Sequence, residues 1–172
     1  DSVEKEEDTK EEIKFDSGSA VEAPATDFEY TIEDSKVRID RYIGSATEVV
    51  IPAEIEGYPV TSIGDYAFSE CSALTSITIS EGVTSIGDSA FDGCRALTSI
   101  TLPEGLTSIG DYAFFWCSSL TSITLPEGVT SIGDYAFYYC SAITGITRPE
   151  GVASVGPDGR GSCKEKRSMT LQ

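Results

Sequence analysis

The sequence predicts a solenoid of stacked short repeats, with a parallel β-sheet on one face and short helical or 3-10 turns elsewhere. A 23-residue unit recurs without a gap over residues 72–94, 95–117 and 118–140, and a longer first unit spans residues 46–71. The cysteines follow the same spacing, at Cys71, Cys94, Cys117, Cys140 and Cys163. A unit this short cannot bury its own apolar face, so neighbouring units must stack and cover one another.

The first half of each unit predicts two short strands joined by a turn. In the third unit the pattern L-x-x-I-x-L places Ile100 and Leu102 on one face of a strand, and Leu97 turns inward at its start. Residues 103–105, Pro-Glu-Gly, predict a turn because proline suits its first central position. Residues 106–109 then predict the second strand.

The second half of the unit predicts a helical turn that completes the core. Gly110 allows a backbone bend that other residues resist. Asp111 precedes Tyr-Ala-Phe as an N-cap precedes a short helical turn. Ala113, Phe114 and Cys117 then fill the interior beside the strands.

Charge and composition divide the chain into four segments. Residues 1–26 carry a net charge of −6 and few large apolar side chains, which predicts a disordered acidic linker. Residues 27–45 hold two alternating apolar stretches around a turn, which predicts an N-terminal β-hairpin cap over the open end of the core. The repeat array spans residues 46–147. Residues 148–172 carry a net charge of +2 and predict a degenerate terminal repeat and a loose tail.

The fifth unit, residues 141–163, keeps the phase but departs from the pattern. Arg148 stands where the third and fourth units carry a core leucine, and Gly159 and Arg160 replace Ala and Phe. These changes remove a buried ring and introduce charge. We interpret this unit as a polar cap on the array, with partial disorder as the alternative.

The repeat motif L-T-S-I-T-L-P-E-G-V-T-S-I-G-x-x-A-F-x-x-C resembles the BspA-like leucine-rich repeats, and so does the lead-in IPAEIEGYPVTSIGDYAF at residues 51–68. The resemblance covers residues 46–147, and the short period with L-x-x-I-x-L agrees with a leucine-rich repeat solenoid. It implies a secreted or surface-anchored bacterial protein, adhesion to host proteins and other cells, and no shared catalytic residue. A generic parallel β-helix is the alternative architecture.

Composition argues against several classes of function. A net charge of −17 disfavours nucleic acid and anionic bilayers as partners. The sequence has no histidine, which removes histidine bases, triads and metal ligands, and the cysteine spacing does not fit zinc. No apolar run approaches the length of about 18 residues that spans a membrane. We therefore expect no enzyme activity, cofactor, metal or membrane span.

The regular cysteine column allows two interpretations. Cysteines on stacked units would have Cα atoms about 5 Å apart, within disulfide range. Their side chains would run parallel, which suits the disulfide torsion poorly. We expect a buried ladder of free thiols, although disulfides are the usual state in an extracellular protein.

Two acidic columns and one hydroxyl face also recur. The acidic columns are Asp65, Asp88, Asp111 and Asp134, and Glu81, Glu104, Glu127 and Glu150. Calcium binding and glycoside hydrolysis are the alternatives to plain capping and solvated turns for these carboxylates. The hydroxyl face is formed by Thr75, Ser76, Thr78, Thr98, Ser99, Thr101, Thr121, Ser122 and Thr124. Threonine suits exposed strand positions, and the alternative is a flat binding array for ice or polysaccharide.

The candidate binding site lies between the repeat phenylalanine and the repeat cysteine. The first two units carry polar or small residues there, and the next two carry Phe-Trp and Tyr-Tyr. We expect a partner-binding aromatic patch of Tyr112, Phe115, Trp116, Tyr135, Tyr138 and Tyr139. The predicted partner is a protein or glycan on host or neighbouring cells, or a second copy of this chain. The alternative function is a structural spacer without its own ligand, and the patch would then fill gaps at a weakened end of the array or lie beneath residues 148–172.

Overall fold

A computed structural model describes residues 21–149, residue 152 and the backbone of residues 165–167. The chain forms a β-solenoid with parallel sheets, as the sequence predicts. The described elements are a 3-10 turn Ala25–Asp27 and the strands β1 Phe28–Glu33, β2 Lys36–Tyr42, β3 Glu48–Val50, β4 Glu54–Ile55, β5 Tyr58–Ile63, β6 Ser76–Thr78, β7 Ser85–Ile86, β8 Ser99–Thr101, β9 Ser108–Ile109, β10 Ile123–Thr124, β11 Ser131–Ile132, β12 Ile146–Arg148 and β13 Glu165–Arg167.

The predicted hairpin cap is confirmed. Strands β1 and β2 pair antiparallel, and β2 continues in parallel onto β5, with Val37 opposite Val60. Val37 and Ile39 are fully buried, so the hairpin covers the first unit of the core. Its alternating apolar residues place these side chains on the face that meets the array.

The extra residues of the first unit form a second small hairpin. Strand β4 pairs antiparallel with the start of β5 through Glu56 and Gly57, whose φ values are 53° and 80°. Positive φ at both central residues is the backbone form that a two-residue hairpin turn prefers. The hydroxyl of Tyr30 donates to Glu56 Oε1 at 2.9 Å, which ties this turn to the cap.

The repeats stack in register. Ser62, Ser85, Ser108 and Ser131 lie opposite one another along β5, β7, β9 and β11. The other side of the solenoid is formed by the sheets β3-β6-β8 and β10-β12-β13. A column of stacked phenylalanines runs along the core, with ring centroids 5.1–5.3 Å apart, at Phe68, Phe91, Phe114 and Phe137.

The turns after each Gly-Asp pair are not the helical turns that we predicted. The N–H of Phe115 donates to the carbonyl of Tyr112 at 3.0 Å, but the N–H of Phe114 donates to Ala136 in the next unit at 2.8 Å. Tyr112 and Trp116 have left-handed φ values of 55° and 60°. A helix needs consecutive right-handed residues, and here alternate N–H groups point along the stack instead.

Parts of the predicted linker and of the predicted tail contact the repeat array. Residue Ala23 donates its N–H to the carbonyl of Val50 at 2.8 Å, so contacts with the array begin inside the range assigned to the linker. Strand β13, which falls within the predicted loose tail, pairs in parallel with β12. The linker residues 1–20, the side chain of Arg148 and the changes at Gly159 and Arg160 lie outside the described residues.

Candidate functional site

The six predicted rings form one continuous surface, called the aromatic surface below. Between the third and fourth units, Tyr112 stacks on Tyr135 with centroids 5.1 Å apart, and Phe115 stacks on Tyr138 at 5.9 Å. Trp116 lies 5.9 Å from Tyr139 in a tilted arrangement. Equivalent rings of the third and fourth units therefore meet in three contacting pairs.

The rings face solvent because of the backbone alternation around them. In the third unit Ala113 and Phe114 point inward and are fully buried, whereas Tyr112 and Trp116 are 40% and 44% exposed. Tyr139 of the fourth unit is 49% exposed. The other three rings, Phe115, Tyr135 and Tyr138, are half-buried. A cluster of exposed rings of this size is typical of a contact surface.

A charged edge, formed by Glu70, Asp92 and Arg95, borders the aromatic surface on its N-terminal side. The guanidinium carbon of Arg95 lies 4.3 Å from the centroid of the Trp116 ring, which is a cation–π contact. Desolvation and the neighbouring charge of Glu70 raise the pKa of Asp92 above its ordinary value. The polar character of Glu70 and Asp92 is evident from the sequence, whereas the role of Arg95 is not, because Arg95 stands at the first and variable position of the next unit.

The aspartate column is a backbone ladder. Asp88 Oδ1 accepts the N–H of Asp111 at 2.8 Å, and Asp65 and Asp111 accept from the next unit in the same way. The predicted N-cap role is thus wrong for Asp65, Asp88 and Asp111, because each of these three carboxylates bonds to the following unit and not to its own turn. The described residues contain no cluster of three or more metal-binding side chains, and among the glutamates Glu81, Glu104 and Glu127 are exposed.

The glycine before each aspartate has a packing role. A Cβ on Gly110 would lie 2.6 Å from the backbone nitrogen of Asp88. Gly110 is not among the residues with positive φ, so the bend predicted from its backbone freedom is not what requires glycine. The close approach of successive Asp ladders requires it.

The threonine columns form further ladders. The hydroxyl of Thr98 donates to the carbonyl of Thr75 at 3.0 Å, and Thr121 donates to Thr98 at 3.4 Å. On the other side of the solenoid Thr107 donates to Thr84 at 3.0 Å. The hydroxyl protons of Thr98 and Thr121 bond within the fold, so this column of the predicted hydroxyl face is not a free array for a ligand.

The predicted ladder of free thiols is confirmed for four cysteines. Cys71, Cys94, Cys117 and Cys140 carry thiols and not disulfides, and all except the half-buried Cys71 are buried. The thiol of Cys94 donates to the carbonyl oxygen of Phe68 at 3.0 Å, and burial raises its pKa far above the ordinary value. Such thiols are poor nucleophiles and act as core residues. Cys163 lies outside the described residues.

These features define a class of protein: a leucine-rich repeat solenoid with ladder-bonded units and one exposed aromatic surface. A sequence profile of the BspA type leucine rich repeat region matches residues 42–165 with six copies. The chain therefore belongs to the BspA-type leucine-rich repeat family. The sequence matches none of the curated proteins. In the part of the chain that the structure describes, no helix has the length and apolar character to cross a membrane.

Solved structures of bacterial leucine-rich repeat proteins are similar. The T. pallidum leucine rich repeat protein TpLRR is 28% identical over 86% of this chain and 84% of that chain, with a TM-score of 0.67. A leucine rich cell surface protein from Faecalibacterium prausnitzii A2-165 is 32% identical over 87% of this chain and 44% of that chain, with a TM-score of 0.73. A leucine-rich repeat protein from Bacteroides capillosus is 27% identical over 84% and 97%, with a TM-score of 0.62.

Proposed function

We propose that the chain is a non-catalytic binding module of a secreted or surface-anchored bacterial protein, and that the aromatic surface contacts its partner. The observation that carries the proposal is the exposure of Trp116 and Tyr139 at equivalent sites of adjacent units, together with the exposed ring of Tyr112. Tyrosine and tryptophan dominate binding hot spots because they bury a large area with little loss of side-chain entropy. The similar F. prausnitzii protein is named a cell surface protein, which supports the location.

The partner is a protein or glycan on a host or neighbouring bacterial cell. Two columns of outward polar side chains are less available to it, because Asp88 Oδ1 and the Thr98 hydroxyl bond along the stack. Rings also allow contact with a second copy of this chain, and the test therefore includes molecular mass.

A Trp116→Ser, Tyr139→Ser double variant tests the proposal. Wild type and variant are compared against a panel of extracellular-matrix proteins and glycans, with light scattering to report mass. The matched control is Tyr58→Ser, Tyr66→Ser, which removes two rings that are 39% and 63% exposed in the first unit. We expect the first variant alone to lose binding. Unchanged binding and unchanged mass would show that the aromatic surface is not the interface.

The alternative function is a structural spacer without its own ligand. The observation in its favour is the regularity of the ladders, since Asp65, Asp88 and Asp111 make the same 2.8 Å bond in each unit. A spacer predicts that wild type binds nothing on the panel and stays monomeric. Panel binding that depends on Trp116 and Tyr139 excludes this alternative.

A further inference from the structure

We propose that the aromatic surface and the neighbouring carboxylates of Glu70 and Asp92 together bind a cationic, partly apolar peptide segment of a partner protein. This inference rests on the proposed function, and it narrows the partner from proteins and glycans in general to basic proteins. Three observations carry it: the arrangement of the carboxylates, the cation on the Trp116 ring and the spacing between them.

The carboxylates of Glu70 and Asp92 form the N-terminal end of the same face. Glu70 occupies in the first unit the position that Gly93, Trp116 and Tyr139 occupy in the next three. A Cβ on Gly93 would lie 2.5 Å from Glu70 Oε1, so the Glu70 side chain extends over the bare backbone of the second unit. Within the part of the chain that the structure describes, Arg38 and Asp40 form an ion pair, whereas neither Glu70 nor Asp92 pairs with a cationic side chain.

The ring of Trp116 already holds a cation of this chain. Arg95 is exposed and places its guanidinium carbon 4.3 Å from the ring centroid. An exposed cation–π contact contributes only about 0.5–1 kcal/mol, so an incoming side chain of the partner can displace Arg95. Once displaced, Arg95 leaves the ring face open to an apolar side chain of the partner.

The spacing fits an extended peptide. Neighbouring strands in a sheet lie about 4.8 Å apart, so two unit steps from Glu70 to Trp116 span about 10 Å. An extended peptide rises about 3.3 Å per residue, so about three residues cover this distance. A basic residue followed three positions later by an apolar residue would place its charge at Glu70 and Asp92 and its apolar side chain on the rings.

The net negative charge of the cap and the repeat array also favours a basic partner. Residues 27–147 carry 17 acids against four bases, a net charge of −13. A surface with this excess attracts basic segments and repels acidic ones, and both effects weaken as salt increases.

The chain provides its own reporter for a test, because Trp116 is the single tryptophan. The probe is a twelve-residue peptide, Arg-Ser-Ser-Leu repeated three times, added to the full chain at low salt. Binding is followed by Trp116 fluorescence and by calorimetry. The comparison peptides replace every Arg by Glu, or every Leu by Ser. We expect binding of the first peptide, none of the Glu peptide, and weaker binding of the Ser peptide.

Two double variants distinguish a specific role of the Glu70 and Asp92 carboxylates from the effect of the net charge of the chain. Glu70→Gln, Asp92→Asn should weaken peptide binding by about fivefold or more. The matched control Glu104→Gln, Glu127→Gln removes the same charge from exposed turns and should change binding by less than about twofold. Arg95→Ala should strengthen binding, because it frees the Trp116 face. Thermal unfolding of each variant checks that the fold is kept.

Several results would overturn the inference. Equal binding of the Arg and Glu peptides, or an equal loss in both carboxylate variants, would exclude a specific cationic site. Weak acrylamide quenching of Trp116 in the full chain would show that another segment covers the ring. If a panel ligand depends on Trp116 and Tyr139 but not on Glu70 and Asp92, the proposed function stands and the cationic partner is wrong.

Discussion

Truncation of one ring in the phenylalanine column tests the core directly. Phe114 is fully buried and stacks on Phe91 and on Phe137, each at 5.3 Å. Phe→Ala in a core costs about 3–5 kcal/mol, and the loss is larger where the surroundings cannot collapse into the cavity. The neighbouring backbone is held by inter-unit hydrogen bonds, including Phe114 N–H to Ala136 at 2.8 Å. We therefore expect Phe114→Ala to lose about 4–5 kcal/mol.

The assay is equilibrium urea unfolding of the full chain, followed by far-UV circular dichroism. The matched control is Tyr112→Ala in the same unit, where the ring is 40% exposed, and its expected loss is about 1 kcal/mol. A loss below about 1 kcal/mol for Phe114→Ala would refute the role of this column as the core.

Three further variants or measurements test the ladders and the charged edge. Gly110→Ala should lower the free energy of unfolding in urea, because the added Cβ would lie 2.6 Å from the backbone nitrogen of Asp88. Gly105→Ala is the control, because the nearest atom to its added Cβ is 3.6 Å away. Thiol titration of the native chain should modify buried Cys117 far more slowly than it does after denaturation, and an equal rate would exclude a buried ladder. The pKa of Asp92 is raised in the folded chain, so ionisation of this carboxyl opposes folding. Asp92→Asn should therefore stabilise the chain at pH 7, and the gain should vanish as the pH falls below the pKa of Asp92 in the unfolded chain. A gain that does not depend on pH would exclude the ionisation of Asp92 as its cause.

The stacking of the fold is predictable from the sequence because one period governs every column. A 23-residue phase fixes which side chains meet, so the column of Phe114 and the contact of Trp116 with Tyr139 follow without knowledge of the strand geometry. Apolar side chains at equivalent positions of identical units can be buried only against one another.

The turns could not be predicted in the same way, because the sequence gives little sign of left-handed residues. Tyr112 and Trp116 adopt φ near 55–60° although bulky residues rarely do so. One sign of a left-handed position was present in the sequence, because glycine occupies the position of Trp116 in the second unit, as Gly93. Gly93 has a φ of 76° in the structure. The aspartate ladder was likewise missed, because an Asp before a turn also fits an N-cap, and only the glycine before each Asp indicates a close approach between units.

The left-handed backbone of the exposed rings leads to a last prediction. A left-handed conformation costs a non-glycine residue about 1–2 kcal/mol, and Trp116 adopts it with φ 60°. Its exposed ring contacts contribute about 0.5–1.5 kcal/mol beyond the area that they bury. The left-handed cost offsets these ring contacts, and the half-exposed ring adds only the free energy of its partial burial, so Trp116→Gly should lower the free energy of unfolding by less than about 2 kcal/mol.

Such a result would mean that the tryptophan contributes little to the stability of the array. Glycine already serves at this position in the second unit, as Gly93. A large ring kept at a strained and exposed site without a gain in stability is expected where the ring contacts a partner. Urea unfolding of Trp116→Gly, with Tyr139→Gly as the parallel variant in the fourth unit, measures this balance. A loss above about 2 kcal/mol in both would show that the rings hold the units together, and the spacer would then be the better account of the aromatic surface.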